Sequence, residues 1–221
     1  MPQDAALPTA TSEGGEDASA AAAAPREQRK RPKPGERRLQ ILQTLATMLE
    51  QPGAERVTTA ALAGRLQVSE AALYRHFASK AQMFEGLIEF IEQSVFQLVA
   101  AITADGATSG TQQARRILAV LLQFGEKNPG MVRVMVGDAL VLEHERLQSR
   151  MNQFFDRIES ALRQCLRPAL ADDGAATPTV DANVQASVLT AFAIGRLQRF
   201  ARSGFRRLPT EQLEASLQRL L

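Results

Sequence analysis

The residue types and spacings between Thr58 and Lys80 suit the surface of a nucleic acid. Leu62, Ala63 and Leu66 recur at one-turn spacing and mark the buried side of a short helix that Thr58 or Thr59 can cap with a hydroxyl. Gln67 and Val68 turn the chain. Ser69 caps a second helix, Glu70 stands at its positive end, and Leu73 with Phe77 forms its buried side. At about 100° per residue, Ala71, Ala72, Tyr74 and Arg75 then point outward. Two alanines permit close approach to a major groove and contact with a thymine methyl, while Arg75 suits a guanine edge or a phosphate. Tyr74, His76 and Lys80 suit backbone phosphates, which set register without reading sequence. Thr58, Thr59, Ser69 and Glu70, at the two helix starts, complete the DNA-facing set. The competing reading is an ordinary helical hairpin inside an all-α core.

Other helices must hold this pair in place. From Glu36 to Glu50, Ile41, Leu42, Leu45, Ala46 and Leu49 recur at helical spacing and predict a scaffold helix behind it, with Gln51-Pro-Gly-Ala-Glu as its exit loop. Ser79-Lys-Ala-Gln82 fits a capping box, with Gln82 reaching back to the cap residue. A long helix is expected from about Lys80 to Thr103, burying Met83, Phe84, Leu87, Ile88, Ile91, Val95, Leu98 and Val99. Any signal between the reading head and the body must pass along it. Further helices are expected at Thr111 to Glu126, Met131 to Leu140 after the Asn128-Pro-Gly130 break, and Glu143 to Arg167, which Pro168 should end. Residues 171–178 read as a connection. The last pair, about Asp181 to Arg202 and Thr210 to Leu221, carries Val184, Val188 and Phe192, then Leu213, Leu217 and Leu220, on apolar faces.

Composition narrows the functional classes. The chain has 221 residues, 45% of them hydrophobic, and no apolar run is read as long enough to cross a bilayer, so a soluble protein is expected. A single cysteine, Cys165, excludes a disulfide framework and fits a reducing cytoplasm. The only two histidines, His76 and His144, are far apart, which argues against a histidine metal or catalytic site. No nucleophile with its base, phosphate-cradling glycine loop or metal spacing is present. Neither an enzyme nor a cofactor is expected. His144, Asn152 and Cys165 could orient a small ligand, though each is more often a surface or core residue. The net charge of +2 hides an asymmetry. Met1 to Ala24 carries Asp4, Glu13, Glu16 and Asp17, lacks Lys and Arg, and reads as disordered. Arg26 to Arg38 carries seven basic residues against Glu27 and Glu36, and this arm can reach phosphates or a minor groove.

The run T-T-A-A-L-A-G-R-L-Q-V-S-E-A-A-L-Y-R-H-F-A-S-K (58–80) resembles the DNA-binding domain of TetR-type regulators. That resemblance implies an all-α, TetR-like fold with an N-terminal three-helix helix-turn-helix domain and a C-terminal helical dimerisation domain. The expected division is a disordered acidic then basic arm at 1–35, the DNA-binding domain at 36–79, and a dimerisation and partner-binding domain at 80–221. A two-fold homodimer matches a palindromic duplex. The last two helices of such regulators usually build it as a four-helix bundle.

A narrower resemblance covers the chain from about Arg37 onward. Segments 41–50 (I-L-Q-T-L-A-T-M-L-E), 68–77 (V-S-E-A-A-L-Y-R-H-F), 83–92 (M-F-E-G-L-I-E-F-I-E), 124–130 (F-G-E-K-N-P-G) and 147–159 (L-Q-S-R-M-N-Q-F-F-D-R-I-E) resemble the bacterial nucleoid occlusion factors. That family binds palindromic chromosomal sites and, when DNA-bound, antagonises polymerisation of the tubulin-like division protein FtsZ. The resemblance implies a site for the FtsZ C-terminal tail between the long helix and the next one. Phe90, Lys127 and Asn128 fall there, Phe90 for an apolar side chain and Lys127 for acidic charge; plain core and helix termination are their competing readings. Where the family often has a basic residue near the end of the long helix, this chain has Gln97-Leu98-Val99. A nucleoid-associated cytoplasmic protein is the expectation, with a ligand-responsive TetR-type repressor as the alternative. The operator and the number of dimers per site stay open.

Overall fold

The computed structural model describes residues 35–51 and 57–221, which fall within the unit Lys33–Leu221. The expected disordered start, most of the basic arm and most of the loop after Gln51 lie outside the described residues. Among the described residues the structure is all-α, with helices α1 (Glu36–Leu49), α2 (Thr59–Leu66), α3 (Glu70–Tyr74), α4 (Lys80–Thr103), α5 (Gly110–Lys127), α6 (Pro129–Met135), α7 (Glu145–Asp172), α8 (Pro178–Arg202) and α9 (Leu213–Leu220).

Local chemistry sets most of the helix starts. The hydroxyls of Thr58, Ser69, Ser79 and Ser109 accept from the backbone N–H groups of Ala61, Ala72, Gln82 and Gln112 at 3.1–3.3 Å, satisfying donors that a helix start leaves unpaired. Gln82 does reach back, but to the N–H of Ala78, one residue before the cap (2.8 Å). α3 is shorter than expected. His76 and Phe77 both donate to the Leu73 carbonyl in a closing turn, and Phe77 reaches the core from beyond the helix end.

The buried stripe of α4 (Met83, Phe84, Leu87, Ile88, Ile91, Val95 and Val99) is the axis of the core, packing against α1 of the head and α5, α6 and α7 of the body. Leu98, expected on that stripe, is 48% exposed. Contrary to the sequence reading, α4 is by length and composition apolar enough to cross a membrane, with mean hydropathy 1.3. The core helix of a globular protein meets the same test.

The expected helix Met131 to Leu140 is two pieces, because Gly137 takes φ +86° between α6 and a 3-10 turn at Asp138–Leu140. Pro168 does not end α7. Its missing N–H removes the bond to the Gln164 carbonyl, yet the helix continues to Asp172, held by half-buried Leu170 and closed at Gly174 (φ +80°). α8 carries two apolar faces. Its core side is Ala182, Ala186, Leu189, Ala193, Leu197 and Phe200, while Val180, Val184 and Val188 are 48–60% exposed. Alanines let α7 and α8 approach closely, and the larger valines are displaced outward.

Head and body meet in backbone contact. α6 packs on α1, and a Cβ built at Gly130 would stand 1.9 Å from the Ala46 carbonyl oxygen. Gly130→Ala should therefore destabilise by about 1–3 kcal/mol through overpacking. Gly64 in α2 faces open space, and Gly64→Ala should stabilise by about 0.5–1 kcal/mol through helix propensity. Urea unfolding of the two variants would check both signs.

Candidate nucleic-acid interface

α2 and α3 meet at Gln67, which takes φ +55°; Val68 then donates to the Ala63 carbonyl at 3.0 Å. This fixes the angle between the two helices. Across the turn, Thr59 Oγ1 donates to Glu70 Oε2 at 2.6 Å and accepts weakly from the Tyr74 hydroxyl at 3.5 Å. Thr58 and Ser69 spend their hydroxyls on the caps. Thr58 thus starts the first helix, and Thr59, Ser69 and Glu70 position the second.

The outward face carries Ala71, Tyr74 and Arg75, all exposed, with Ala72 half-buried at its edge. Arg75 has no ion-pair partner among the described residues. A free guanidinium beside two small side chains leaves this face open to close approach. His76 is half-buried, and its carbonyl accepts from Arg38 Nη1 at 2.6 Å, while the Arg38 guanidinium lies 4.2 Å from the Phe77 ring centroid. Arg38 therefore ties down the end of the reading helix, a role no local pattern announces. Lys80 is the least available of the expected phosphate contacts. Its Nζ pairs with Glu143, from the segment before α7, and a phosphate would have to replace that carboxylate.

A second surface runs along α4 and α5. Phe90 is 40% exposed rather than core, and Leu98, eight residues further along α4 and about 80° round the helix from it, is 48% exposed. Lys127 is exposed at the end of α5. Asn128 closes α5 and opens α6, and its side-chain amide donates to the Phe124 carbonyl at 2.8 Å. Behind this face two carboxylates of α4, Glu85 and Glu92, are held by α7. Arg146 pairs with Glu85 at 2.8 Å, and Arg150 bonds both oxygens of Glu92 at 3.2 and 2.6 Å. The bond to Glu92, followed by the charges of Glu92, Glu89 and Glu85, raises the Arg150 pKa above the ordinary value against the opposing effect of burial.

The residues considered for a small ligand are engaged elsewhere. His144 caps α7 by accepting from the Arg146 N–H at 3.2 Å, Asn152 accepts from Gln148, and Cys165 is buried with its thiol pKa raised by desolvation. Among the described residues no cluster of His, Cys, Asp or Glu could hold a metal ion.

Residues 41–87 match the model of bacterial regulatory proteins of the tetR family, and residues 110–221 match that of the tetracyclin repressor-like, C-terminal domain of SlmA-like type. The nucleoid occlusion factor SlmA of Idiomarina loihiensis is 49% identical over 182 residues, covering 82% of this chain and 92% of that protein. SlmA of Salmonella dublin is 49% identical over 180 residues, covering 81% and 90%. Solved structures share the fold at low identity. The regulator PfmR of Thermus thermophilus superposes with TM-score 0.65 at 19% identity, covering 82% of this chain and 94% of that one. The regulator FadR of Bacillus subtilis, in complex with stearoyl-CoA, gives 0.63 at 12%, covering 82% and 96%. These are DNA-binding regulators, not enzymes. The chain belongs to the nucleoid occlusion factor SlmA family of TetR-type DNA-binding proteins.

Proposed function

We propose that the chain binds palindromic DNA as a homodimer through residues 36–79 and, when bound, antagonises FtsZ polymerisation over the chromosome through residues 80–221. The observation that carries the second half is the exposure of Phe90 and Leu98 on a helix whose other large apolar residues are buried or half-buried, with Lys127 at the end of the adjoining α5. An apolar side chain on the FtsZ tail would meet Phe90, and acidic residues would meet Lys127. Leu98, at the position flanked by Gln97 and Val99, extends the apolar contact where a relative's cation would add charge. Asn128 acts on the tail through the turn it holds, since its amide is already engaged.

DNA contacts divide by role. Arg75 with Ala71 and Ala72 reads the groove; Tyr74 and His76 sit against phosphates, joined by Lys80 once its pair with Glu143 opens. The valine stripe Val180, Val184 and Val188 supports a two-fold contact between α8 helices, because an apolar row at four-residue spacing on an exposed helix face matches a second copy of itself. Position on the nucleoid then follows from the DNA. The linkage between sites is reciprocal: if operator DNA raises affinity for the tail, the tail raises affinity for DNA by the same factor.

Arg75→Ala should lower operator affinity by about 1–3 kcal/mol with little change in melting temperature. Measuring affinity at two salt concentrations would separate a lost groove contact from a lost phosphate contact, since only the latter flattens the salt slope. Val184→Glu should convert the dimer to a monomer in light scattering at micromolar concentration. A variant that still scatters as a dimer would refute the α8 interface.

The decisive experiment is titration of an FtsZ-tail peptide against the full chain, with and without operator DNA. Phe90→Ala should retain operator binding and weaken the peptide by at least about 2 kcal/mol, as a buried aromatic anchor does. Lys127→Glu should weaken it in a salt-dependent manner. Equal peptide affinity in Phe90→Ala and wild type would reject this site; equal affinity with and without DNA would reject the coupling.

A further inference from the structure

The turn between α8 and α9 gathers arginines that neither the DNA reading nor the tail reading uses. Arg196, Arg199, Arg206 and Arg207, with Leu208 and Pro209, line an open concavity of about 610 Å³, and Glu211 is the one acidic residue on its wall. Arg196 is part of the frame. Its guanidinium donates to the carbonyls of Pro209 (3.1 Å) and Glu211 and to Ser216 Oγ (2.7 Å). Burial first, and the neighbouring charge of Arg199 second, lower its pKa from the ordinary value. The other arginines are less committed. Arg206 uses its Nε on the Ser203 carbonyl, and Arg199 and Arg207 have no ion-pair partner among the described residues.

The backbone presenting them is fixed in a conformation that side chains disfavour. Phe205 takes φ +63° and Gln212 φ +51°. Phe205 is held there by a bond from its N–H to the Phe200 carbonyl (2.9 Å), by edge-on packing against the Phe200 ring at 5.1 Å, and by the Arg133 guanidinium 5.3 Å from its ring centroid. Ser203 Oγ accepts from the backbone N–H groups of both Arg206 and Arg207, at 3.0 and 2.9 Å. Strain over-determined in this way marks a turn whose shape is specified. Four like charges around one open hollow repel each other, and Arg199 and Arg207, less committed than Arg196, offer the planar donor fork that matches phosphate oxygens. The volume is in the range of a small-molecule site.

We propose that this concavity binds a compact oligophosphate of the size and charge of a nucleoside di- or triphosphate. Arg199 and Arg207 contact the phosphates, and Leu208 with Pro209 forms the wall for an attached base or sugar. The proposal uses none of the residues assigned to DNA or to FtsZ, so it stands or falls separately.

Isothermal titration of the full chain with sodium tripolyphosphate and with ATP, at about 150 mM salt and without DNA, tests it. The wild type should bind one ligand per chain saturably, and the double variant Arg199→Ala, Arg207→Ala should bind at least about tenfold more weakly while keeping its operator affinity and melting temperature. Tighter binding of ATP than of tripolyphosphate supports the apolar wall, and equal binding removes that part of the proposal. Absence of saturable heat at millimolar ligand overturns the site. So does unchanged binding in the double variant, or a loss of operator affinity and salt slope with oligophosphate binding intact, which would assign these arginines to the DNA backbone.

Discussion

Everything in this fold hangs on the burial of one side of α4. At its start, Met83, Phe84 and Gly86 close the core of the head, and Gly86 is small enough to leave the Leu42 methyls 3.1 Å from where its Cβ would stand. Further along, Ile91, Val95 and Val99 are sealed by α5 and α7. Each large apolar side chain withdrawn from water contributes roughly 1.5–3 kcal/mol, so this helix cannot leave either neighbour without exposing a costly surface. Head and body share one continuous core.

Polar contacts then choose among the ways α4 could rotate against α7. Lys80 with Glu143, Glu85 with Arg146, Glu92 with Arg150, and Phe96 beneath the Arg157 guanidinium at 3.7 Å form successive rungs. Partly exposed pairs of this kind add little stability individually. Their value is in register: sliding the helices by one turn would place carboxylates opposite the wrong partners. The same rungs draw the acidic side of α4 toward α7, which leaves Phe90 uncovered.

Much of this was legible in the sequence because helix starts carry local signals. Thr58, Ser69 and Ser79 act as caps where the hydroxyl pattern placed them, and α4 has the bounds its apolar spacing suggested. Family and fold class were legible from motifs. The illegible parts depend on partners distant in the chain. Lys80 reads as a free cation until Glu143 is brought to it across the fold. Val184 and Val188 read only as an apolar face, and it takes the α7–α8 contact, close enough to select alanine, to show that this face is not the core side. Pro168 reads as a terminator, but the penalty for one lost bond near a helix end is smaller than the gain from packing Leu170 and the last turn of α7. Phe90 was ambiguous for a related reason, since periodicity places residues on a helix face without saying which faces are covered.

Asn128 is the last cap of one helix and the first of the next, and Gly130, which touches the Ala46 carbonyl, lies only two residues beyond it. No loop intervenes to absorb motion. A push delivered at Asn128 is transmitted to α1 through a single helical turn, as through a short rod between two bearings. In mechanical terms the joint is stiff where a two-domain layout would suggest a hinge, and stiffness is what allows a small displacement on one side to be felt, undiminished, on the other.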